Sequence, residues 1–223
     1  MPSSQPAARA ALAALAQRGL DWRAPERMRD AMPNPRQAAV LVLFGVLDDV
    51  SAASTGPVSA DLDVLLQRRA ATMGHHAGEI SFPGGGVEPI DTDAAATALR
   101  ETVEETGLDP QGVDVLGTLP ELGIPASNNL VTPVLAWWHR ASEVAAVDHR
   151  EAVEVFRMPV ADLIAPDNRV TAVLNWAGKD HGSPAFQVGE TLVWGFTALV
   201  LDRVFDALGW SVPWDESRTI RLR

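Results

Sequence analysis

The chain contains no cysteine among its 223 residues. Disulfide bonds, thiolate metal sites and a cysteine nucleophile are therefore excluded. This absence is compatible with a reducing compartment, although it does not require one.

Long hydrophobic runs are also missing. The longest apolar stretch, 38–47 (AAVLVLFGVL), has the length of a strand and falls well short of the roughly 20 residues that span a bilayer. The Ala/Leu-rich N-terminus is interrupted by Arg9 and Arg18, so it lacks the apolar region of a signal peptide. We expect a soluble, cytoplasmic protein with no membrane partner.

Positive charge is scarce. The chain has 18 basic and 29 acidic residues and a formal net charge of -11. A nucleic-acid-binding protein normally presents a basic face, so this balance argues against nucleic acid as a partner. A small polyanionic substrate would need a metal ion or a local basic pocket.

The length predicts one domain with extensions, and no internal repeat or clear linker divides the chain. We expect an N-terminal arm at 1–37, one domain at 38–208 and a tail at 209–223. The arm begins with a helix at 6–18, which we expect to pack on its own domain. Periodicity and turn residues predict strands at 38–47, 62–69, 79–82, 113–119, 130–138 and 154–159, a hairpin of 170–176 with 185–188 across a polar turn at 178–182, and helices at 161–164 and 197–208. Mixed strands and helices of this kind favour a mixed sheet flanked by helices.

The most informative segment is 82–108, FPGGGVEPIDTDAAATALRETVEETGL. It opens with a predicted glycine turn at 84–86 and continues into a helix that begins near Asp93 and ends at Gly107. At about 100° per residue, Glu101, Glu104 and Glu105 share an arc of about 100° on this helix. This face presents the carboxylates, whereas Ala95, Leu99, Thr102 and Val103 lie on the other side, which we expect to pack on the core.

Three carboxylates on one turn repel one another unless a cation lies between them. Mg²⁺ and Mn²⁺ prefer hard oxygen ligands of this kind. A solvated acidic helix face is the simpler alternative and is common on surface helices. The preceding glycines, which let backbone approach metal or phosphate closely, favour the metal site.

The same residues resemble the Nudix box, G-x5-E-x7-R-E-U-x-E-E-x-G-U, in which U is a bulky aliphatic residue. Gly85 and the run from Arg100 to Leu108 follow this pattern. Asp91 stands in place of the first glutamate, eight residues rather than seven separate it from Arg100, and Thr102 occupies an aliphatic position.

The flanks resemble the coenzyme A diphosphatase subfamily of Nudix hydrolases. The similar segments are Leu65-Leu66-Gln67-Arg68-Arg69, then Met73, His76, Gly78 and Phe82-Pro83-Gly84-Gly85, and further downstream 131–134, 154–159 and 193–198. That subfamily also has the aspartate and the longer spacing. The resemblance covers roughly residues 38 to 208.

The resemblance implies a Nudix-type α/β/α sandwich of the α/β (α+β) class, with a central mixed sheet and a loop-helix-loop metal site. It implies hydrolysis of coenzyme A or its derivatives at the diphosphate bond, with Mg²⁺ or Mn²⁺ as cofactor. The implied metal ligands are Glu101, Glu104, Glu105 and the Gly84 carbonyl. The implied catalytic residues are Glu101, Glu104 and Arg100, with Arg100 orienting a glutamate and one glutamate acting as base.

Four residues near the box are candidates for substrate binding: Arg68, Arg69, His76 and Gly85. Arg68 and Arg69 end a strand, so alternation points them to opposite faces. One of them is a candidate for phosphate contact, and the alternative for either is a surface ion pair. His76 is favoured over His75 by the resemblance. Glu151 or Glu154 is a candidate for a further ligand or base outside the box.

Two other functions stay open at this point. One keeps the chemistry and changes the substrate to ADP-ribose, a dinucleotide or a nucleoside triphosphate. The other is a nucleotide-binding module that has lost catalysis, which the presence of all three glutamates disfavours. A homodimer is compatible with the sequence and is not indicated by it.

Overall fold

The structure is a computed structural model that describes residues 4–22, 32–46, 57–70, 78–147, 152–176 and 178–222. The α-helices in these residues are α1 (Ser4–Arg18), α2 (Ala94–Thr106), α3 (Val160–Ile164) and α4 (Gly195–Leu208). The strands are β1 (Arg36–Val46), β2 (Leu62–Arg69), β3 (Ile80–Ser81), β4 (Gly84–Gly86), β5 (Val113–Thr118), β6 (Leu122–Ile124), β7 (Asn129–Trp138), β8 (Ala152–Pro159), β9 (Arg169–Trp176), β10 (Lys179–Val188), β11 (Thr191–Val193) and β12 (Thr219–Arg221).

Strand β1 lies at the centre of the larger sheet. The strand order is β3-β2-β1-β7-β5, and β4, β6 and β8 pair with β1, β7 and β2 respectively. Strands β1 and β7 are parallel, whereas the other pairs in this sheet are antiparallel. Residues 41–44 of β1 are fully buried. A strand covered on both faces reads as a continuous apolar run, which is why 38–47 could be assigned from sequence.

Helices cover both faces of this sheet. On one face, Leu41 and Leu43 pack with Ala98 of α2. On the other face, Val42 and Phe44 share a core with residues of α1 and α4. The expected α/β/α sandwich with a mixed central sheet is confirmed.

Both terminal segments contact this core. Leu12 and Leu15 of α1 are fully buried, in agreement with the expectation that the helix packs on its own domain. In the tail, Trp210 packs edge-on against Phe44, and β12 pairs in parallel with β9 to complete a second sheet of order β11-β10-β9-β12. The domain boundaries at 37 and 208 remain predictions.

Two predicted turns are wrong. The glycines 84–86 form β4, which pairs antiparallel with Ala38–Val40 of β1. The polar turn predicted at 178–182 belongs mostly to β10, because Lys179 already pairs with Trp176. Asp180 accepts a hydrogen bond from Asn175 at 2.8 Å and pairs with Arg221 at 2.7 Å, so cross-strand contacts accommodate its charge in an exposed strand. The hairpin itself is confirmed.

Among the described residues, no helix combines the length and the apolar character needed to span a membrane.

Candidate active site

Local capping sets the limits of α2, the helix that carries the acidic residues. The Asp93 side chain accepts a hydrogen bond from the Ala96 backbone N–H at 2.8 Å. Gly107 adopts a left-handed conformation (φ 69°), and its N–H donates to the Val103 carbonyl at 2.9 Å. Both caps are the types that start and end helices, and the predicted helix limits are confirmed.

Asp91 is held by four hydrogen bonds. The Arg100 guanidinium donates to its two oxygens, Oδ1 and Oδ2, at 2.9 Å each. The Glu88 N–H and the Thr97 hydroxyl both donate to Oδ2, at 2.8 and 2.9 Å. These bonds, led by those from Arg100, hold the pKa of Asp91 well below its usual range. Asp91 is therefore ionised at neutral pH, and it fixes the direction of Arg100.

The remaining Arg100 donors contact the box. Nη1 donates to Glu101 Oε1 at 3.0 Å and to Glu104 Oε2 at 3.3 Å, and Nη2 donates to the Gly86 carbonyl at 2.9 Å. The Arg100 guanidinium thus connects Asp91 of the loop, the backbone of the last glycine and two of the three glutamates. This placement fits the role expected for Arg100, orientation of a carboxylate.

Glu105 is buried, although helical spacing places it on the same carboxylate-bearing face as Glu101 and Glu104. It is only 4% exposed, and its Oε2 accepts hydrogen bonds from the Gly84 N–H and from Gln67 Nε2, both at 2.8 Å. Burial raises the pKa of Glu105 to about 7, although these two donors and the charge of Arg69 oppose the rise. The side of the acidic arc on which Glu105 lies faces β2 and β4, so α2 presents its carboxylates in two directions.

Glu101 fills the space beside Gly85. A Cβ atom placed on Gly85 would lie 2.4 Å from the Glu101 carboxyl carbon. The Glu101 side chain is 16% exposed and that of Glu104 is 59% exposed. On this one turn, exposure therefore decreases from Glu104 through Glu101 to Glu105. The absence of a side chain at Gly85 makes room for Glu101.

The backbone at Gly84 explains why glycine occupies this position. Its φ is 148°, and a Cβ atom would lie 2.3 Å from the Ala39 carbonyl oxygen. In the pairing of β4 with β1, the Leu41 N–H donates to the Pro83 carbonyl, and the Val87 N–H donates to the Gln37 carbonyl. Gly84, which lies opposite Val40, therefore belongs to a non-hydrogen-bonded pair. Its N–H and C=O consequently point away from β1, toward the side on which Glu105 lies.

The two arginines at the end of β2 have different surroundings. A β-bulge separates them in the pairing with β8. Arg68 Nε donates to Glu154 Oε2 at 3.0 Å, so both predicted site residues are engaged with each other. Arg69 lies close enough to Glu105 to lower its pKa, and its Nε is buried without a hydrogen-bond partner among the described residues. The structure brings Arg69 to the box, whereas Arg68 is bound in an ion pair.

His76, His75 and Glu151 lie outside the described residues. Their predicted roles stay predictions.

The donor set fits a hard divalent cation. Among the described residues, no group of three or more His, Cys, Asp or Glu side chains is arranged so that it could hold a metal ion. Mg²⁺ typically takes one or two carboxylates and completes its shell with water and substrate phosphates, so a cluster of three protein ligands is not required. Glu101 and Glu104 supply carboxylate oxygens on one turn of α2, and the room left by Gly85 lets the backbone approach Glu101.

Sequence reasoning did not single out Gln67 as a site residue. It lies in β2 and is fully buried, yet its amide reaches Glu105 across 38 residues of sequence. One signal was available: a polar residue stands between the apolar Leu65–Leu66 pair and two arginines, where alternation directs it to the same face as Leu65.

Comparison with known proteins agrees with this geometry. Residues 50–174, more than half of the chain, match the NUDIX domain family. The chain is 32% identical over 185 residues to the uncharacterized Nudix hydrolase NudL of Cronobacter sakazakii, which covers 79% of this chain and 84% of that protein. It is 33% identical over 184 residues to Nudix hydrolase 22, chloroplastic, of Arabidopsis thaliana, covering 81% of this chain and 56% of that one. The chain belongs to the Nudix family.

A solved structure agrees at the level of the fold. The crystal structure of a MutT/nudix family protein from Enterococcus faecalis aligns with a TM-score of 0.51 and 18% identity, over 84% of this chain and 65% of that one. The chain spans little more than half the length of the Arabidopsis relative.

Proposed function

We propose that this protein is a metal-dependent Nudix hydrolase that cleaves the diphosphate bond of coenzyme A or its derivatives. The expected products are 4'-phosphopantetheine and adenosine 3',5'-bisphosphate. The observation that carries the proposal is the arrangement of Arg100 between Asp91 and the box, which holds Glu101 and Glu104 in place beside the glycine strand.

Support for coenzyme A comes from the departures from the general box. Aspartate is one methylene shorter than glutamate, and the one-residue-longer spacing before Arg100 accompanies it. In the fold, Asp91 still makes a two-point ion pair with Arg100, so the variant pattern forms a complete pair. The same variant, together with the LLQRR and FPGG flanks, is what resembles the coenzyme A diphosphatases.

The residues we assign to hold Mg²⁺ or Mn²⁺ are Glu101, Glu104, Glu105 and the Gly84 carbonyl. When bound, the cation supplies positive charge against the diphosphate oxygens and makes water more acidic. Arg100 keeps the Glu101 carboxylate oriented through its Nη1 donor. Glu101 or Glu104 accepts the proton of the attacking water, and the exposure of Glu104 gives it direct access to water.

Arg69 is the residue that we propose for phosphate contact. Its positive charge lowers the pKa of the buried Glu105 carboxyl in the box, and positive charge is scarce in a chain with 18 basic and 29 acidic residues. Gly85 contributes by having no side chain, so that substrate and Glu101 approach the same backbone. His76 and Arg68 remain predicted contacts.

A substrate panel tests the proposal. Purified protein is incubated with coenzyme A, acetyl-coenzyme A, ADP-ribose, NADH and dNTPs, each with Mg²⁺ and with Mn²⁺, and the products are identified by mass spectrometry. Turnover of coenzyme A to the two expected products supports the proposal. Turnover of ADP-ribose, NADH or a dNTP alone reassigns the substrate, and binding without turnover indicates a non-catalytic module.

A cytoplasmic location remains a prediction, and a homodimer remains an alternative to the monomer. Cell fractionation tests the first and light scattering of the purified protein tests the second.

A further inference from the structure

We propose that Gln67 is a positioning residue that sets the orientation of the Glu105 carboxylate in the metal site. The inference rests on the proposed function, because it assigns Gln67 a task in that same site. Gln67 lies on β2 and is fully buried, with Leu65 and Leu66 before it in the strand.

The hydrogen bonds give Gln67 a defined partner. Gln67 Nε2 and the Gly84 N–H both donate to Glu105 Oε2 at 2.8 Å. No hydrogen bond from a described residue reaches Oε1. Two donors on one oxygen fix the rotation of the carboxylate, so Oε1 is held in a single direction while Oε2 is occupied by protein.

The direction of the Gln67 amide follows from chemistry. Only its nitrogen can donate to a carboxylate, so Nε2 must face Glu105 and the carbonyl oxygen must face the other way. That oxygen is buried and has no hydrogen-bond partner among the described residues. Burying a polar atom in this way disfavours folding. The amide is therefore explained by what its donor does for Glu105 and not by a contribution to packing.

The two donors come from different strands. Gly84 is on β4 and Gln67 is on β2, and both strands pair within the central sheet. Glu105 on α2 is thereby tied to two points of a rigid scaffold. Side chains that orient a metal ligand in this way commonly affect metal affinity or activity by about 10- to 100-fold when they are replaced.

The test replaces Gln67 by methionine, which keeps the unbranched shape and removes the donor. We expect Gln67→Met to weaken binding of Mn²⁺ to the substrate-free protein by about tenfold or more, measured by titration calorimetry or by the electron paramagnetic resonance signal of free Mn²⁺. We expect kcat for coenzyme A to fall by about 10- to 100-fold while KM changes less than about threefold. The matched control is Gln187→Met on β10, whose amide donates to the Gly189 carbonyl, and it should change neither quantity.

A double-mutant cycle asks whether Gln67 acts through Glu105. If it does, adding Gln67→Met to Glu105→Gln lowers Mn²⁺ affinity little further. Fully additive losses, or wild-type Mn²⁺ affinity and kcat in Gln67→Met, would overturn the proposal. If Gln67→Met does not fold, Gln67→Asn, which keeps a buried amide and withdraws the donor by one methylene, is measured against the same criteria.

The metal titration separates the two proposals. If wild-type protein turns over no substrate in the panel, the proposed function fails. The comparison of Mn²⁺ affinity between wild type, Gln67→Met and Gln187→Met then still decides the role of Gln67.

Discussion

Replacing Gly85 by alanine tests whether the space beside Glu101 belongs to the active site. The new Cβ would lie 2.4 Å from the Glu101 carboxyl carbon and 2.5 and 2.6 Å from its two oxygens. Non-bonded carbon atoms prefer about 3.5–4.0 Å, so the carboxylate must retreat by about 1 Å. The retreating group is the end of a flexible side chain, and its movement should cost little stability.

The consequence for catalysis should be large. A displacement of about 1 Å in a catalytic arrangement can reduce the rate about 100-fold, which corresponds to about 2.7 kcal/mol of transition-state stabilisation. We therefore expect Gly85→Ala to lower kcat by about this factor and to leave the melting temperature within a few degrees of wild type.

The neighbouring glycines provide matched controls. A Cβ on Gly86 meets nothing within 4 Å, so Gly86→Ala should keep wild-type activity and stability. A Cβ on Gly84 would lie 2.3 Å from the Ala39 carbonyl oxygen, and φ there is 148°, so Gly84→Ala should destabilise the fold. The three variants are compared by thermal unfolding and by kcat with the substrate found in the panel. Wild-type kcat in Gly85→Ala, or an equal loss in Gly86→Ala, would refute this reasoning.

Three further predictions concern charge and packing. Burial raises the pKa of the Asp63 carboxyl from 3.8 to about 7, although the charge of Arg157 opposes the rise. Between about pH 4 and pH 7 the unfolded chain releases this proton more readily than the folded protein does, so the fold loses stability as the pH rises. In urea unfolding, the free energy of unfolding of Asp63→Asn should therefore exceed that of wild type by up to about 4 kcal/mol at pH 8 and by little at pH 4. A difference that does not change with pH would contradict this. Arg100→Lys keeps the charge but loses the two-point pair with Asp91, so kcat should fall about 10- to 100-fold in steady-state assays, and wild-type kcat would count against the orienting role. Leu15→Ala should lower the free energy of unfolding by about 2–5 kcal/mol in the same assay, because Leu15 is fully buried. Its kcat per folded molecule should be unchanged. Unchanged stability would mean that α1 is not part of the core.

The limits of α2 were predictable because the signals are local. Asp93 and Gly107 act on backbone groups within four residues of themselves. Strand β1 was similarly accessible, since burial on both faces leaves an unbroken apolar run in the sequence. Elements that depend on their own residues could therefore be assigned within about two residues, the usual uncertainty of such boundaries.

The direction of Glu105 could not be predicted in this way. Helical spacing places it beside Glu101 on an acidic arc, but its two donors come from Gln67 and Gly84, which are 38 and 21 residues away in sequence. Whether that edge of the helix meets water or a sheet is decided by how the strands pair. The spacing alone contains no such information.

The glycines 84–86 show the same limit. Consecutive glycines favour a turn on local grounds, yet these residues pair with Ala38–Val40, more than 40 positions upstream. Gly84 is required because the Ala39 backbone approaches too closely for any side chain. A glycine needed for close approach and a glycine needed for a turn look alike in a single sequence.

Hydrolysis of coenzyme A at the acidic turn of α2 can be observed in its products. The decisive measurement is the product spectrum of wild type, Glu104→Gln and Glu105→Gln after incubation with coenzyme A and Mg²⁺ or Mn²⁺. We expect 4'-phosphopantetheine and adenosine 3',5'-bisphosphate from wild type, and much slower formation by both variants. Intact coenzyme A after incubation with wild type, together with variants that behave like wild type on every substrate tested, would contradict it.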